Sequence, residues 1–395
     1  MAFIKFPKIN LTVQLILIIG LVSIGHTYLS SELQSIFYAI SLTIKEVLVF
    51  ILPFIIFCCI YACMMSFKNR ALIFMLIVMG GVCLSNFITA WIGYGISTVS
   101  LHHISLNEIN TVSLNGALTP YWHWLAPKWF ANEHALLSGL IVGALFTFFP
   151  NKMASKFAEQ ANRFVHLILN QFFVPLLPLF ALGFIIKMAH DGFLSNLMHH
   201  YIWVVAIIFA SYAFYISFLY ALCAKFNLKR WNFFIKNVFP AGIMGFSSMS
   251  SLAAMPINIH AAELNTAQPI AARAIIPATA NIHLIGDSLF IPILAIALLI
   301  SHGAGIPTLH TFFIFSLFFV ISKFAVAGVP GGGIIVMIPV LEKYLGFSSE
   351  MSALMTSIYI LFDPFNTCAN VIGNGAFAIL ITRLFKSTPF NKFQK

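Results

Sequence analysis

The apolar positions of this chain gather into long blocks, and about eight of them reach the roughly 20 residues that a helix needs to cross a bilayer. They run roughly from Leu11 to Leu29, Ile40 to Met65, Ala71 to Thr98, His134 to Phe149, Val165 to Met188, Tyr201 to Ala224, Ile275 to Ile300 and Met351 to Leu384. Two further blocks are broken at their centres, by Ser247-Ser248-Met249-Ser250-Ser251 and by Gly328-Val329-Pro330-Gly331-Gly332-Gly333. In lipid such a break leaves backbone groups that only protein or a water-filled cavity can satisfy, so it marks a binding site at membrane depth. The pattern predicts two helix-break-helix units, roughly Asn232 to Leu264 and Pro307 to Gly346, with arms too short to cross alone. Pro53, Pro175 and Pro178 should kink the helices that contain them.

Each interrupted unit is followed by a span with one isolated aspartate, Asp287 in the first case and Asp363 in the second. This is an internal repeat. Six spans put the base of the first unit inside, and one more span puts the base of the second outside. The two units then enter the membrane from opposite sides and meet near its middle, the arrangement of a secondary transporter with inverted repeats. The predicted fold class is therefore an all-α polytopic membrane protein with about eight transmembrane helices plus two re-entrant helical hairpins.

Composition agrees with this pattern. The 395 residues are 60% hydrophobic and 8% charged, which excludes an ordinary soluble domain and a disordered chain. The net charge of +10 invites a nucleic-acid partner, but the basic residues lie between spans and form no groove. Orientation accounts for them better. With the N-terminus inside, Lys5, Lys8, Lys68, Arg70, Lys152, Lys156, Arg163, Lys225, Lys229, Arg230, Lys236, Arg383, Lys386, Lys392 and Lys395 are cytoplasmic, and little beyond Lys128 and Lys343 faces out. Both termini are expected in the cytoplasm, and the charge bias together with an uncleaved first helix fits a bacterial inner membrane.

The six cysteines all lie in apolar runs, where Cys acts as a small hydrophobe, so neither a disulfide framework nor a zinc site is expected. A long link from Val99 to Glu133 carries His102, His103, His123, Trp122 and Trp124, a mixture suited to the membrane interface.

At the two breaks and the last helix the chain resembles the dicarboxylate/amino acid:cation symporters, the glutamate-transporter-like family. The resemblance rests on Ala327-Gly328-Val329-Pro330-Gly331-Gly332-Gly333 as the second hairpin tip, and on Ser250, Ser251 and Pro256 in the first. Ala278-Thr279-Ala280-Asn281 is similar to the start of the seventh-helix motif, and Asp363, Thr367, Asn370, Val371 and Gly373 match the last helix. It implies a homotrimer that works as an elevator, with residues 1–230 mainly scaffold and oligomerisation helices and 231–395 the transport core. It also implies that Asp363 holds a substrate ammonium, that Thr367 and Asn370 bind the substrate's carboxylate region, and that Ser250, Ser251, Val329 and Gly333 contribute from the tips. Asp363, Asn366, Thr367, Asn370 and Asn374 recur at helical spacing and share one polar stripe, which requires a polar cavity.

Departures from the family pattern bear on the substrate. Asn366 stands where acidic-substrate members carry an arginine, and an amide brings no charge for a distal carboxylate. A neutral or amide amino acid is therefore expected over an acidic one. The cation positions are Thr279, Asn281, His283, Asp287, Lys323, Asn370 and Asn374, and three of them depart from the family: His283 falls where an aspartate is usual, Asn374 replaces another, and Lys323 lies where hairpin carbonyls hold a sodium. The expectation is that Lys323 substitutes for one cation and that Asp287 and His283, one helical turn apart, share a proton, so that coupling runs on a proton or on altered sodium. No other cofactor, no metal beyond a possible sodium, and no catalytic residue is expected; the partners are a small-molecule substrate and the lipid bilayer. Competing readings are a sodium-coupled C4-dicarboxylate or acidic amino acid symporter, a channel-like or inactive relative, and a membrane enzyme using Asp287 and His283, for which no nucleophile or ligand set is present.

Overall fold

The computed structural model describes residues 11–65, 72–101, 118–127, 129–149, 151–191, 193–326 and 331–387. Among the described residues every regular element is helical. The helices are α1 (Leu11–Gly25), α2 (Ser31–Met65), α3 (Leu72–Ser100), α4 (Asn132–Phe148), α5 (Lys152–Leu167), α6 (Val174–His190), α7 (Phe193–Ala224), α8 (Leu228–Ser248), α9 (Ser251–Thr266), α10 (Pro269–Thr279), α11 (Ile285–Ser301), α12 (Leu309–Ser322), α13 (Gly332–Leu345) and α14 (Ser349–Ser387). By length and composition four segments among the described residues can cross a bilayer: Ser31–Met65, Leu76–Ser100, Tyr201–Ala224 and Ser349–Leu384.

Four expected spans differ from the observed helices, the sixth simply by beginning eight residues early, at Phe193. The second begins at Ser31, nine residues early, because Glu32 and Gln34 are compatible with a first helical turn that lies outside the apolar block. The fifth is not uniform: α5 is amphipathic, carrying Lys152, Lys156 and Arg163, and a π-helical stretch at Ile168–Phe173 joins it to α6. That wider turn precedes Pro175, whose ring cannot follow an ordinary α-turn without loss of a hydrogen bond. The seventh is split in two, α10 and α11, by the non-helical residues 280–284. The first arm of the first hairpin is also longer than expected, because Asn227 accepts a hydrogen bond from the Arg230 amide and starts α8 ahead of the apolar run.

α11 is apolar all round and buried at every position except Ile300, as such a helix must be. α3, α7 and α14 pack around it, α8 and α9 pack on each other and on α14, and α12 pairs with α13. On the other side α2 packs on α4, α5 and α6. The described part of the interfacial link, residues 118–127 and 129–131, meets α2, where Trp122 Nε1 donates to Thr43 Oγ1 (2.9 Å) and Trp129 Nε1 to the Phe50 carbonyl (2.7 Å). Two ion pairs tie α2 and α6 to the second hairpin and α14: Lys45–Glu342 at 3.0 Å and Lys187–Glu350 at 3.5 Å.

Candidate functional site

The site grows out of the break between α10 and α11. The stretch 280–284 contains no proline or glycine, so its backbone groups need partners from elsewhere. Asn86 on α3 supplies two: its Nδ2 donates to the Ile282 carbonyl (2.7 Å) and its Oδ1 accepts from the Leu284 amide (3.1 Å). Asn370 on α14 supplies the next, its Oδ1 accepting from Gly286 N (2.8 Å) and Asp287 N (3.4 Å), amides that α11 leaves open at its N-terminus. The Leu284 carbonyl receives Lys323 Nζ at 3.3 Å. Lys323 is fully buried, sits 4.4 Å from the centroid of the Phe319 ring, and lies within electrostatic reach of Asp287.

Beside this break lies a small cavity, about 30 Å³, that seven of the expected residues line: Ser251, Asn281, Asp287, Gly333, Asp363, Thr367 and Asn370. That volume holds one or two water molecules, so an amino acid enters only if a wall moves. Asp363 Oδ2 accepts from the Gly331 amide at 2.8 Å, and its Oδ1 from the Thr367 hydroxyl at 3.3 Å. Gly331 has φ +72°, a conformation that favours glycine, and it precedes α13 without any side chain to cap it. Asp363 therefore caps the second hairpin from α14. Asp287 accepts from the Tyr359 hydroxyl (3.0 Å) and from Asn370 Nδ2 (3.4 Å). At Gly333 a Cβ would meet Asp287 Oδ2 at 3.0 Å, so only glycine lets α13 pass this close.

Other expected residues lie apart from the cavity wall. Asn366 is buried and turned to α7, where its Oδ1 accepts from the Tyr212 hydroxyl while its Nδ2 has no partner. Ser250 caps α9, its Oγ accepting from Ala253 N. Thr279 is buried, and its hydroxyl returns to the Ile275 carbonyl of its own helix (2.9 Å). Val329 lies outside the described residues. Asn281, by contrast, is on the cavity wall, and its Oδ1 is unpartnered.

The shared proton site of Asp287 and His283 loses its geometric basis. The one-turn relation requires a continuous helix, and α11 begins only at Ile285. His283 instead faces α3 and the far end of α14, with Nε2 2.9 Å from Ser85 Oγ and its ring 4.3 Å from that of Phe377. The Asn374 amide approaches its other side without completing a well-aligned bond, leaving His283 Nδ1 and Asn374 Oδ1 unsatisfied. Asn86 and Tyr359 are the residues sequence reasoning missed. Tyr359 could have been found, since it precedes Asp363 by four positions on the same helical face; Asn86 carries no such signal.

A sequence model of the sodium:dicarboxylate symporter family matches residues 134–384, which include every element of this site except α3. The chain belongs to this family. The chain is 29% identical over 143 residues to the serine/threonine transporter SstT of Acinetobacter baumannii, an alignment covering 36% of this chain and 35% of that protein. It is 26% identical over 164 residues to a putative sodium-dependent excitatory amino acid transporter, glt-4, of Caenorhabditis elegans, covering 41% of this chain and 32% of the relative. The chain thus aligns with about a third of the length of these curated relatives. The family is one of transporters and not of enzymes, and the four long apolar helices among the described residues fit a multi-pass membrane protein.

Proposed function

We propose that this chain is a secondary active transporter for a neutral amino acid with a hydroxyl or amide side chain. The observation that carries this reading is the wall of the cavity: two carboxylates, Asp287 and Asp363, face it, and among the described residues no arginine or lysine lines it. Two carboxylates attract an ammonium and repel a second carboxylate on the substrate, and a like charge brought into a buried site costs several kcal/mol of discrimination. The name of the SstT relative agrees with a hydroxyl-bearing substrate.

Asp363 holds the substrate ammonium in place of the Gly331 amide, so that the tip of the second hairpin and the substrate exchange partners. The α12–α13 pair is then the gate, with Gly331 as the point where the backbone turns. About eight spans, two re-entrant hairpins meeting near the midplane, cytoplasmic termini, a homotrimer and an elevator movement of 231–395 against the helices around α2 complete the reading. The ion pairs Lys45–Glu342 and Lys187–Glu350 would have to part in that movement.

Coupling rests on Lys323. Its ammonium group donates to the buried Leu284 carbonyl at the α10–α11 break, which also accepts from Ser288 N and Oγ, and it balances Asp287. One sodium of the family's cycle is replaced by this tethered charge, and the remaining coupling ion is sodium. The test is uptake by proteoliposomes of labelled serine, threonine, asparagine and aspartate under a sodium or a choline gradient, for the wild type and Lys323→Met. The neutral amino acids should accumulate and aspartate should not, and the substitution should reduce uptake at least about tenfold by stranding Asp287. Sodium-driven aspartate uptake that ignores the substitution would overturn the reading in favour of an acidic amino acid symporter.

A further inference from the structure

The turn between α7 and α8 forms a second concave site, far from the transport cavity in sequence and different in chemistry. α7 ends at Ala224, and Lys225 and Phe226 both adopt left-handed backbone conformations, φ +52° and +57°, before Asn227 caps α8. The tight reversal leaves a groove of about 320 Å³ lined by Phe214, Phe218, Ala221, Phe226, Leu228 and Trp231. Among the described residues nothing fills it: Phe214, Phe226 and Leu228 are 69%, 71% and 77% exposed. Trp231 is held in its wall by a hydrogen bond from Nε1 to the Ser217 carbonyl, 3.1 Å.

Three cations, Lys225, Lys229 and Arg230, interleave with these lining residues and are all exposed. None of the three has a carboxylate within ion-pair distance among the described residues. Nor are they needed to close the end of α7, because Arg383 of α14 already donates to the Cys223 carbonyl there. An apolar slot with an unpaired cationic rim matches one kind of molecule available to a membrane protein, an acyl chain carrying an anionic head.

We propose that this groove binds an anionic phospholipid, with one acyl chain along Phe214, Phe218 and Trp231 and the phosphate at Lys225, Lys229 and Arg230. Charge complementarity selects the occupant: a zwitterionic lipid fits the slot equally well but gains little from the rim. Trp231 holds the depth of the site, as aromatic residues do at the headgroup level.

The full-length protein, reconstituted with phosphatidylglycerol or phosphatidylcholine bearing brominated acyl chains, reads contact through quenching of Trp231. The Trp231 signal is isolated by comparison with Trp231→Phe. Phosphatidylglycerol should quench more strongly at equal mole fraction, and the combined Lys225→Asn, Lys229→Gln, Arg230→Gln variant should lose that preference by on the order of 100-fold. Retention of phosphatidylglycerol over phosphatidylcholine by the detergent-purified wild type, counted by native mass spectrometry, tests the same selectivity without any substitution. Equal quenching and retention of the two lipids, or an anionic preference unchanged in the charge variant, would overturn the proposal.

Discussion

The two hairpins look alike in sequence, each a pair of short helices around a small-residue break, yet their tips are held in opposite ways. The first carries several hydrogen bonds of its own. Ser248 Oγ donates to the Met244 carbonyl (2.6 Å) and accepts from Ser250 N (3.3 Å), Met249 turns through φ +51°, and Ser250 caps α9. The second borrows its partners from the core: Gly331 N donates to Asp363 on α14, and Lys323 donates to the α10–α11 break. A tip with several hydrogen bonds of its own depends less on the charge of the cavity. One that depends on the carboxylate facing the cavity must respond when a substrate ammonium arrives there.

This difference can be attacked at both ends. The largest effect belongs to Asp363→Asn, which keeps an acceptor for Gly331 N but removes the charge. Substrate affinity, measured by isothermal titration, should fall by about 100-fold, roughly 3 kcal/mol, while the purified protein remains folded. A smaller loss is expected for Tyr359→Phe, which takes from Asp287 its hydroxyl partner; affinity should weaken by about tenfold, the cost of one buried hydrogen bond to a charged group. The smallest is Ser250→Ala in the self-contained tip. It removes a helix cap worth about 1 kcal/mol, so the melting temperature should drop by a few degrees with substrate affinity within about twofold of wild type. A large affinity loss from Ser250→Ala would erase the distinction between the tips.

The breaks themselves were legible in the sequence, because serine and glycine clusters inside apolar blocks have no other good explanation in lipid. The aspartates were legible for the same reason, and Asp287, Asp363, Thr367 and Asn370 do meet around one cavity. The interruption of the seventh span was not. Ala280-Asn281-Ile282-His283-Leu284 holds no proline or glycine to mark a break, and the side chain that keeps it unwound, Asn86, stands almost two hundred positions earlier. That missed break also undid the pairing of His283 with Asp287, which presumed helical spacing across it. Asn366 was correctly placed on the polar stripe, but the stripe is wider than the cavity, and Tyr212 of α7 holds its amide on the far side. Periodicity identifies a face; it does not say which neighbour that face meets.

The central claim is that substrate acts on the second tip and leaves the first alone. Hydrogen–deuterium exchange of the purified protein, with and without saturating serine, measures this at Gly331–Gly333 and at Ser248–Ser250 in one experiment. The account predicts that serine changes exchange at Gly331–Gly333 and leaves Ser248–Ser250 as it was. Equal changes at both tips, or a change confined to the first, would contradict it.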